Sequence, residues 1–241
     1  MRSFGVVAIA GLLLGCHEDQ ALVITRFVAV TSADCVASSL SPGLSRGTLD
    51  VGLVAAAGEG GYEAAPVFQN NFVDHSANDV SATDSIQTTG VNVELEPAPE
   101  LAEALPNADR RFFVPGSAGL LLPGGTKDEL GSSSPMIVEL IPASVATKLA
   151  QVVQVGGGRP VVIAHVKPVG RHEDETLTGL AADFPIEICK FCLSAAPQAC
   201  PKAGFASATI QKGGCFPHQD VQVTCCNASN GLLCGSAVPS M

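Results

Sequence analysis

The chain has 241 residues, of which 46% are hydrophobic, and its formal net charge is −10 at pH 7. This apolar content excludes a chain that is disordered throughout, and the negative charge disfavours nucleic acid as a partner. There is no Trp and a single Tyr, which disfavours a carbohydrate-binding module because such surfaces rely on these two residues.

The first 16 residues have the pattern of an export signal. Arg2 supplies a positive charge, residues 6–14 are all apolar or small, and the segment ends in Leu-Leu-Gly followed by Cys16. The apolar run matches a signal peptide and is too short to span a bilayer as a helix. We therefore predict that residues 1–15 are a signal peptide. The alternatives are an ordinary secretory signal in which the Cys is accidental and a short buried helix.

The Leu-Leu-Gly-Cys ending resembles the lipobox of bacterial lipoproteins. In that family the Cys thiol receives a diacylglycerol, and cleavage leaves the lipidated Cys as the first residue. The resemblance implies lipidation of Cys16, a tether over residues 16–20 and a stable membrane anchor, since two or more acyl chains hold a protein firmly.

Two further segments extend this resemblance. With residues 66–71 and residues 184–189, the latter followed by Cys192 and Leu193, the chain is similar to uncharacterised cysteine-containing lipoproteins of myxobacteria and related bacteria. Position 17 is His rather than the Asp that retains some lipoproteins in the inner membrane. The resemblance therefore implies an outer-membrane location.

Short strands separated by Gly and Pro turns are predicted over residues 21–188. The clearest alternation of apolar and polar residues is at 91–96, and the one helical candidate is 142–155, which stops at three glycines. The other predicted strands are residues 21–30, 48–54, 66–72, 111–114, 119–122, 136–141, 161–169 and 184–189. This pattern is typical of a mainly β fold, and we predict an antiparallel immunoglobulin-like β-sandwich with one short helix.

Eight cysteines remain if Cys16 carries lipid, and in an exported chain they predict disulfides. Seven lie in residues 189–241, so Cys35 is expected to pair with one of them. This segment carries a charge of +2 in an acidic chain and is predicted to be a small disulfide-rich C-terminal module. The eight are Cys35, Cys189, Cys192, Cys200, Cys215, Cys225, Cys226 and Cys234. Zinc binding or a thioredoxin-like role of Cys189 and Cys192 is a weaker alternative.

Side chains with catalytic potential are scattered rather than grouped. The Gly-Ser-Ala-Gly stretch at 116–119 lacks the first Gly of a nucleophile elbow, and the His-Glu stretch at 172–175 lacks the second His of a zinc-protease helix. We therefore assign no catalytic residue, cofactor or metal. His17, His75, His165 and His218 are expected on the surface or in loops, and Phe68, Phe72, Phe112, Phe113 and Phe184 in the core.

These observations predict a lipid-anchored outer-membrane protein with a non-catalytic structural, adhesive or scaffolding role. The expected contacts are the membrane, through Cys16, and an envelope protein partner. One alternative is a lipoprotein that binds a small solute, or Ca²⁺ through the acidic segments 74–84 and 172–175. A second alternative is an exported hydrolase with a dispersed site.

Overall fold

The structure is a computed structural model that describes residues 21–31, 35–58, 60–72, 84–124, 130–194, 198–199, 218–220, 222, 224–228 and 231–235. The predicted signal peptide, the tether and Cys16 lie outside the described residues. So do Cys200, Cys215, His17, His75 and most of the acidic segment 74–84.

The described part of the chain is mainly β. In chain order its strands are β1 (Leu22–Val28), β2 (Val30–Thr31), β3 (Val36–Ala37), β4 (Gly43–Leu44), β5 (Gly47–Asp50), β6 (Tyr62–Asn70), β7 (Ile86–Pro97), β8 (Arg111–Pro115), β9 (Leu120–Leu121), β10 (Ser133–Pro135), β11 (Val138–Ile141), β12 (Val161–His172), β13 (Glu175–Thr178), β14 (Ala182–Cys189), β15 (Gln198–Ala199), β16 (Thr224–Ala228) and β17 (Gly231–Gly235). The helices are α1 (Val51–Ala57), α2 (Ala143–Val152) and two short 3-10 turns, Pro99–Leu101 and Asn107–Asp109.

Two large sheets form the body. The first is five-stranded, with the order β10-β6-β1-β4 and β11 also paired to β6. The second is seven-stranded, with the order β5-β14-β12-β7-β8, β13 added to β12 and β9 added to β7. The expectation of a purely antiparallel arrangement is wrong at β5, which pairs parallel to β14.

One hydrophobic core joins the two sheets. Phe27 of β1 and Tyr62 of β6 contact Phe184 of β14, with ring centroids 4.5 and 5.9 Å apart. The alternation predicted at residues 91–96 is confirmed within β7, since Val91, Val93 and Leu95 are all buried in this core. Burial on this scale is the main favourable term in the stability of such a body.

The segment 48–54, predicted as a strand, changes structure at Asp50. Strand β5 ends there, and α1 begins at the next residue because the Asp50 side chain accepts hydrogen bonds from the backbone of Gly52 and Leu53. Gly58, with φ of +73°, ends the helix in the left-handed conformation that glycine favours. The expectation of a single helix is therefore wrong, whereas the helix predicted over 142–155 is confirmed as α2.

The body has two ends that lie far apart along β12. At one end, Ile188 donates a backbone hydrogen bond to Pro160, next to α1 and Cys189. At the other end, Leu22 packs so closely on Gly170 that a Cβ there would lie 3.0 Å from Leu22 Cδ2. At roughly 3.3 Å per residue, these ends are about 30 Å apart. We call them the helix end and the tether end.

Candidate functional site

The carboxylate of Asp50 organises the helix end. The side chain is fully buried, and its Oδ1 accepts hydrogen bonds from Gly52 N at 3.0 Å and Leu53 N at 3.2 Å in α1. The same oxygen accepts from Phe191 N at 2.7 Å, and Oδ2 accepts from Leu193 N at 2.9 Å. Asp50 thus joins α1 to the segment that follows β14. An Asp before an apolar run was the sequence signal for this cap, and the sequence analysis missed it.

The segment held by Asp50 contains a disulfide between Cys189 and Cys192, with Cα atoms 5.8 Å apart. Cys189 is 3% exposed, whereas Cys192 is partly exposed. Between them Phe191 has φ of +58°, a conformation that costs energy for a residue with a side chain. This pair agrees with the prediction that both cysteines form disulfides.

An open cavity of about 550 Å³ lies beside this disulfide. Its walls are residues 154–159 and residues 189–192 with Ser194. Two cationic side chains line it: Lys190, whose Nζ donates to Ala150 O at 2.7 Å, and Arg159, whose Nη1 lies 3.5 Å from Glu187 Oε2. The volume is in the range of small-molecule sites.

The alternative of zinc binding at Cys189 and Cys192 does not fit this form of the protein. The two sulfurs lie within 4.8 Å of an Asp50 carboxylate oxygen, but they are bonded to each other. Both Asp50 oxygens also accept backbone hydrogen bonds. The disulfide form therefore offers no thiolate at this position, and zinc prefers thiolate or imidazole ligands.

The segment 218–220 connects the two large sheets. On one side, Asp50 N donates to His218 O at 2.9 Å and Asp220 N to Thr48 O at 3.0 Å. On the other side, the Gln219 amide makes two hydrogen bonds to the Glu63 backbone, at 2.7 and 2.8 Å. A short piece of the predicted C-terminal module thus lies between β5 and β6.

The expectation that His218 lies on the surface or in a loop is met only in part, because the residue lies in a turn but is buried. His218 is 6% exposed, and its Nε2 lies 2.7 Å from Gly61 O. Burial is possible because the adjacent Gly60 leaves room for the ring: a Cβ there would lie 2.1 Å from His218 Cε1. Among the described residues, no buried side-chain nitrogen or oxygen is without a hydrogen-bond partner.

Three side chains at this junction, those of Tyr62, Glu63 and Asp220, have raised pKa values. Tyr62 OH donates to Asp220 Oδ2 at 2.8 Å, and burial raises the pKa of the Asp220 carboxyl. Burial and then the charge of Asp220 raise the pKa of Tyr62, so it remains a neutral donor. Burial also raises the pKa of Glu63 to about 7, and the charge of Glu139, its neighbour on β11, adds to this effect.

His165 is not isolated, in contrast to the expectation. It lies on the outer face of the second sheet, where Nδ1 is 2.7 Å from Asp183 Oδ1 and Nε2 is 3.0 Å from Glu96 Oε2. The Asp183 hydrogen bond raises the pKa of His165, and Glu96 adds to this effect against the opposing effect of burial. The three residues lie on adjacent strands.

The remaining predicted disulfide residues are only partly described. Cys35 is disulfide-bonded, and its pairing with the C-terminal segment stays a prediction. Cys225 of β16 and Cys234 of β17 occupy paired positions in an antiparallel register, and Cys226 faces Leu233 in the same ladder.

At the tether end the structure places Asp84, the described residue of the acidic segment 74–84, next to His172 of the segment 172–175. Asp84 Oδ1 lies 3.8 Å from His172 Nε2, and the ring of Phe72 packs on that His with centroids 4.9 Å apart. Phe68 and Phe184 are buried as expected, whereas Phe113 is 48% exposed. The expectation for Phe113 is wrong because side chains alternate along β8: Phe112 and Val114 pack against the core, and Phe113 lies on the opposite, exposed face.

Comparison with family models, with curated proteins and with solved structures finds no match. Among the described residues, no helix is both long and apolar enough to cross a bilayer.

Proposed function

We propose that this protein is a lipoprotein of the bacterial outer membrane, anchored through Cys16, and that its β body is a scaffold for an envelope protein partner. The body holds Cys189, Cys192 and the segment 218–220 away from the membrane. The observation that carries the proposal is the separation of the tether end from the helix end by about 30 Å along β12.

Chain length supports this orientation. Between Cys16 and Leu22 the chain advances by six residues, which span at most about 20 Å when fully extended. A lipidated Cys16 therefore keeps Leu22 and the tether end near the membrane surface. The cavity and the partly exposed Cys192 lie at the opposite end, where they are accessible to another protein.

We further propose that the body is an immunoglobulin-like sandwich and that the C-terminal segment is a disulfide-rich module. The core shared by the two large sheets supports the first proposal. For the second, Cys225 and Cys234 are paired in register, and paired Cα atoms are about 4.5–5.5 Å apart, which is within the range of a disulfide.

The anchor is tested by membrane fractionation of a Cys16→Ser variant. We expect this variant to be released from the membrane or to accumulate as uncleaved precursor, because it lacks the thiol that carries the lipid. Cys192→Ser is the matched control and should remain on the membrane. Unchanged fractionation of Cys16→Ser would contradict the anchor.

The scaffold role is tested with a photo-crosslinking amino acid at two exposed positions, Val155 at the helix end and Leu180 next to Gly179, which packs on Leu22. In intact cells we expect one recurrent envelope-protein adduct from position 155 and none of that size from position 180. The same adducts from both positions, or none from 155, would count against a partner at the helix end.

The cavity of about 550 Å³ favours a second candidate function, the binding of a small solute. A panel of small solutes should then contain one that raises the melting temperature in proportion to its concentration. If the ligand is Ca²⁺, bound at Asp84 and residues 172–175, titration with Ca²⁺ should raise the melting temperature. An unchanged melting temperature would exclude Ca²⁺ binding there.

A further inference from the structure

We propose that the Cys189–Cys192 disulfide is a site of thiol–disulfide exchange, at which an incoming thiolate attacks the Sγ of Cys192 from the cavity at the helix end. The substrate class is a thiol, either a small one or a cysteine of another protein. This inference does not depend on the lipid anchor or on the scaffold role.

The first argument is access. Cys192 and Cys189 both line the cavity, but the two sulfurs are not equivalent, because Cys189 is buried and Cys192 is partly exposed. Exchange requires an approach to one sulfur while the other leaves. The cavity provides that approach, and the difference in burial selects Cys192 as the sulfur that is attacked.

The second argument is that the disulfide adds little to the stability of this turn. The bond links residues only three apart in sequence, and in the chain-entropy model the stabilisation by a disulfide grows with the length of the loop it closes. Asp50 already holds the turn through Phe191 N and Leu193 N. The turn is therefore expected to keep its conformation when the disulfide opens.

The third argument is charge. The chain is strongly acidic, with a net charge of −10, yet the cavity walls carry Lys190 and Arg159. Arg159 is the less tightly held of the two cations, since its Nη1 lies 3.5 Å from Glu187 Oε2, whereas Lys190 Nζ lies 2.7 Å from Ala150 O. A local positive charge raises the concentration of an anionic reactant, and the thiolate is the reactive form of a thiol.

The exchange balances in atoms and electrons. The first thiolate forms a mixed disulfide with Cys192 while the Cys189–Cys192 bond breaks, and Cys189 leaves as a thiolate that takes a proton from solvent. A second thiolate then attacks the incoming sulfur of the mixed disulfide and releases Cys192. Two thiols are oxidised to one disulfide, and one protein disulfide is reduced to two thiols.

The experiment uses the full chain with its disulfides intact, equilibrated in mixtures of reduced and oxidised glutathione. After acid quenching and alkylation, peptide mapping reports which cysteines have opened. We expect Cys189 and Cys192 to open together, with a glutathione adduct on Cys192, in mixtures that leave the remaining cysteines protected and the protein folded. If the pair opens only in mixtures that also unfold the protein, the proposal is overturned.

A second arm uses dithiol peptides of increasing size in place of glutathione. Oxidation of large and small peptides at similar rates identifies a protein thiol as an accessible substrate. Oxidation of glutathione alone identifies a small thiol. Failure of both reagents to react overturns the proposal.

Two single variants test which sulfur is attacked. Cys189→Ser leaves Cys192 as a free thiol, and Cys192→Ser leaves Cys189. We expect Cys192 to react with an aromatic disulfide reagent at least about 10-fold faster than Cys189, because reactivity follows exposure. Equal rates, or a faster Cys189, would contradict the assignment. If either variant fails to fold, the glutathione titration of the unaltered protein still decides the proposal.

The role of the cavity charge is tested with Arg159→Gln. It should slow the opening of the disulfide by anionic glutathione and leave the rate with a neutral thiol unchanged. Arg111→Gln is the matched control, since it removes the same charge from another exposed arginine in an ion pair, Arg111–Glu94. An equal effect of both variants, or no effect of Arg159→Gln, would show that the local charge does not steer the thiol.

Discussion

At the scale of single residues, Asp50 has the largest structural role in the helix end. One buried carboxylate accepts four backbone hydrogen bonds, two from α1 and two from the turn after β14. Hydrogen bonds to a charged acceptor are stronger than neutral ones. The residue therefore sets the position of Cys189 and Cys192 as well as the start of the helix.

We predict that Asp50→Ala lowers the free energy of unfolding by about 3 kcal/mol or more, because it removes a helix cap and leaves buried N–H groups unsatisfied. Urea denaturation measures this change. Asp109→Asn, which breaks an ion pair with Lys148, is the control and should cost less than about 1 kcal/mol. An equal loss of unfolding free energy in the two variants would show that the hydrogen bonds of Asp50 do not stabilise the helix end more than a surface ion pair does.

Glu63 makes stability depend on pH. Its pKa is raised to about 7 in the folded protein from 4.5, so the folded state binds the proton more tightly than the unfolded chain does. Stability is therefore highest when Glu63 is protonated in both states, below about pH 4.5, and this contribution is lost as the pH rises to about 7.

We predict that Glu63→Gln reduces this loss, so that its urea midpoint falls less between pH 5 and pH 7 than that of the unaltered protein. Glu100→Gln, at an exposed position, removes the same charge and should leave the pH profile unchanged. If the Glu63→Gln profile has the same slope as the unaltered protein, the pKa of Glu63 is not raised.

At the scale of elements, the sequence predicts the strands and helices whose apolar residues recur at a regular spacing within the element itself. The alternation of Val91, Val93 and Leu95 identifies β7, and the spacing of Val145 and Leu149 identifies α2. The apolar run of α1 fits a buried strand equally well, since short apolar runs do not distinguish the two. The Asp50 side chain decides in favour of the helix by capping its first turn, and its other two backbone partners lie 141 and 143 residues away in the turn after β14.

The same reasoning explains why the segment 218–220 was not predicted. Its His-Gln-Asp sequence has no periodicity, and its structure depends on contacts with Thr48 and Glu63, which are more than 150 residues away. The burial of Tyr62 against Asp220 is equally non-local. Sites built from such contacts carry no local pattern that sequence analysis can use.

We predict that Gln219→Ala lowers the free energy of unfolding by about 1–3 kcal/mol, because it leaves the Glu63 N–H and C=O without their partner. Gln87→Ala is the control, since the Gln87 side chain is exposed and bonds to Ser117 at the surface. Thermal or urea denaturation measures both. If Gln219→Ala is no more destabilising than Gln87→Ala, the segment 218–220 does not connect the sheets as described.

At the scale of the whole molecule, the two ends of the body differ in what they carry. The tether end carries Leu22 and the acidic turn after β12, whereas the helix end carries α1, α2, the Cys189–Cys192 disulfide and the cavity. The proposed lipid on Cys16 would give this difference a function, because it would fix which end faces the membrane. The proposed scaffold role and the proposed thiol exchange both belong to the end that faces away.

The most direct test of this arrangement is energy transfer from a dye on the protein to acceptor-labelled lipids in reconstituted vesicles. The dye is attached through a click-reactive amino acid at Leu180 or Val155, which are 54% and 66% exposed. We predict stronger transfer from position 180, because position 155 is about 30 Å farther from the tether. Equal transfer from the two positions, or stronger transfer from position 155, would contradict a membrane-anchored body whose helix end faces outward.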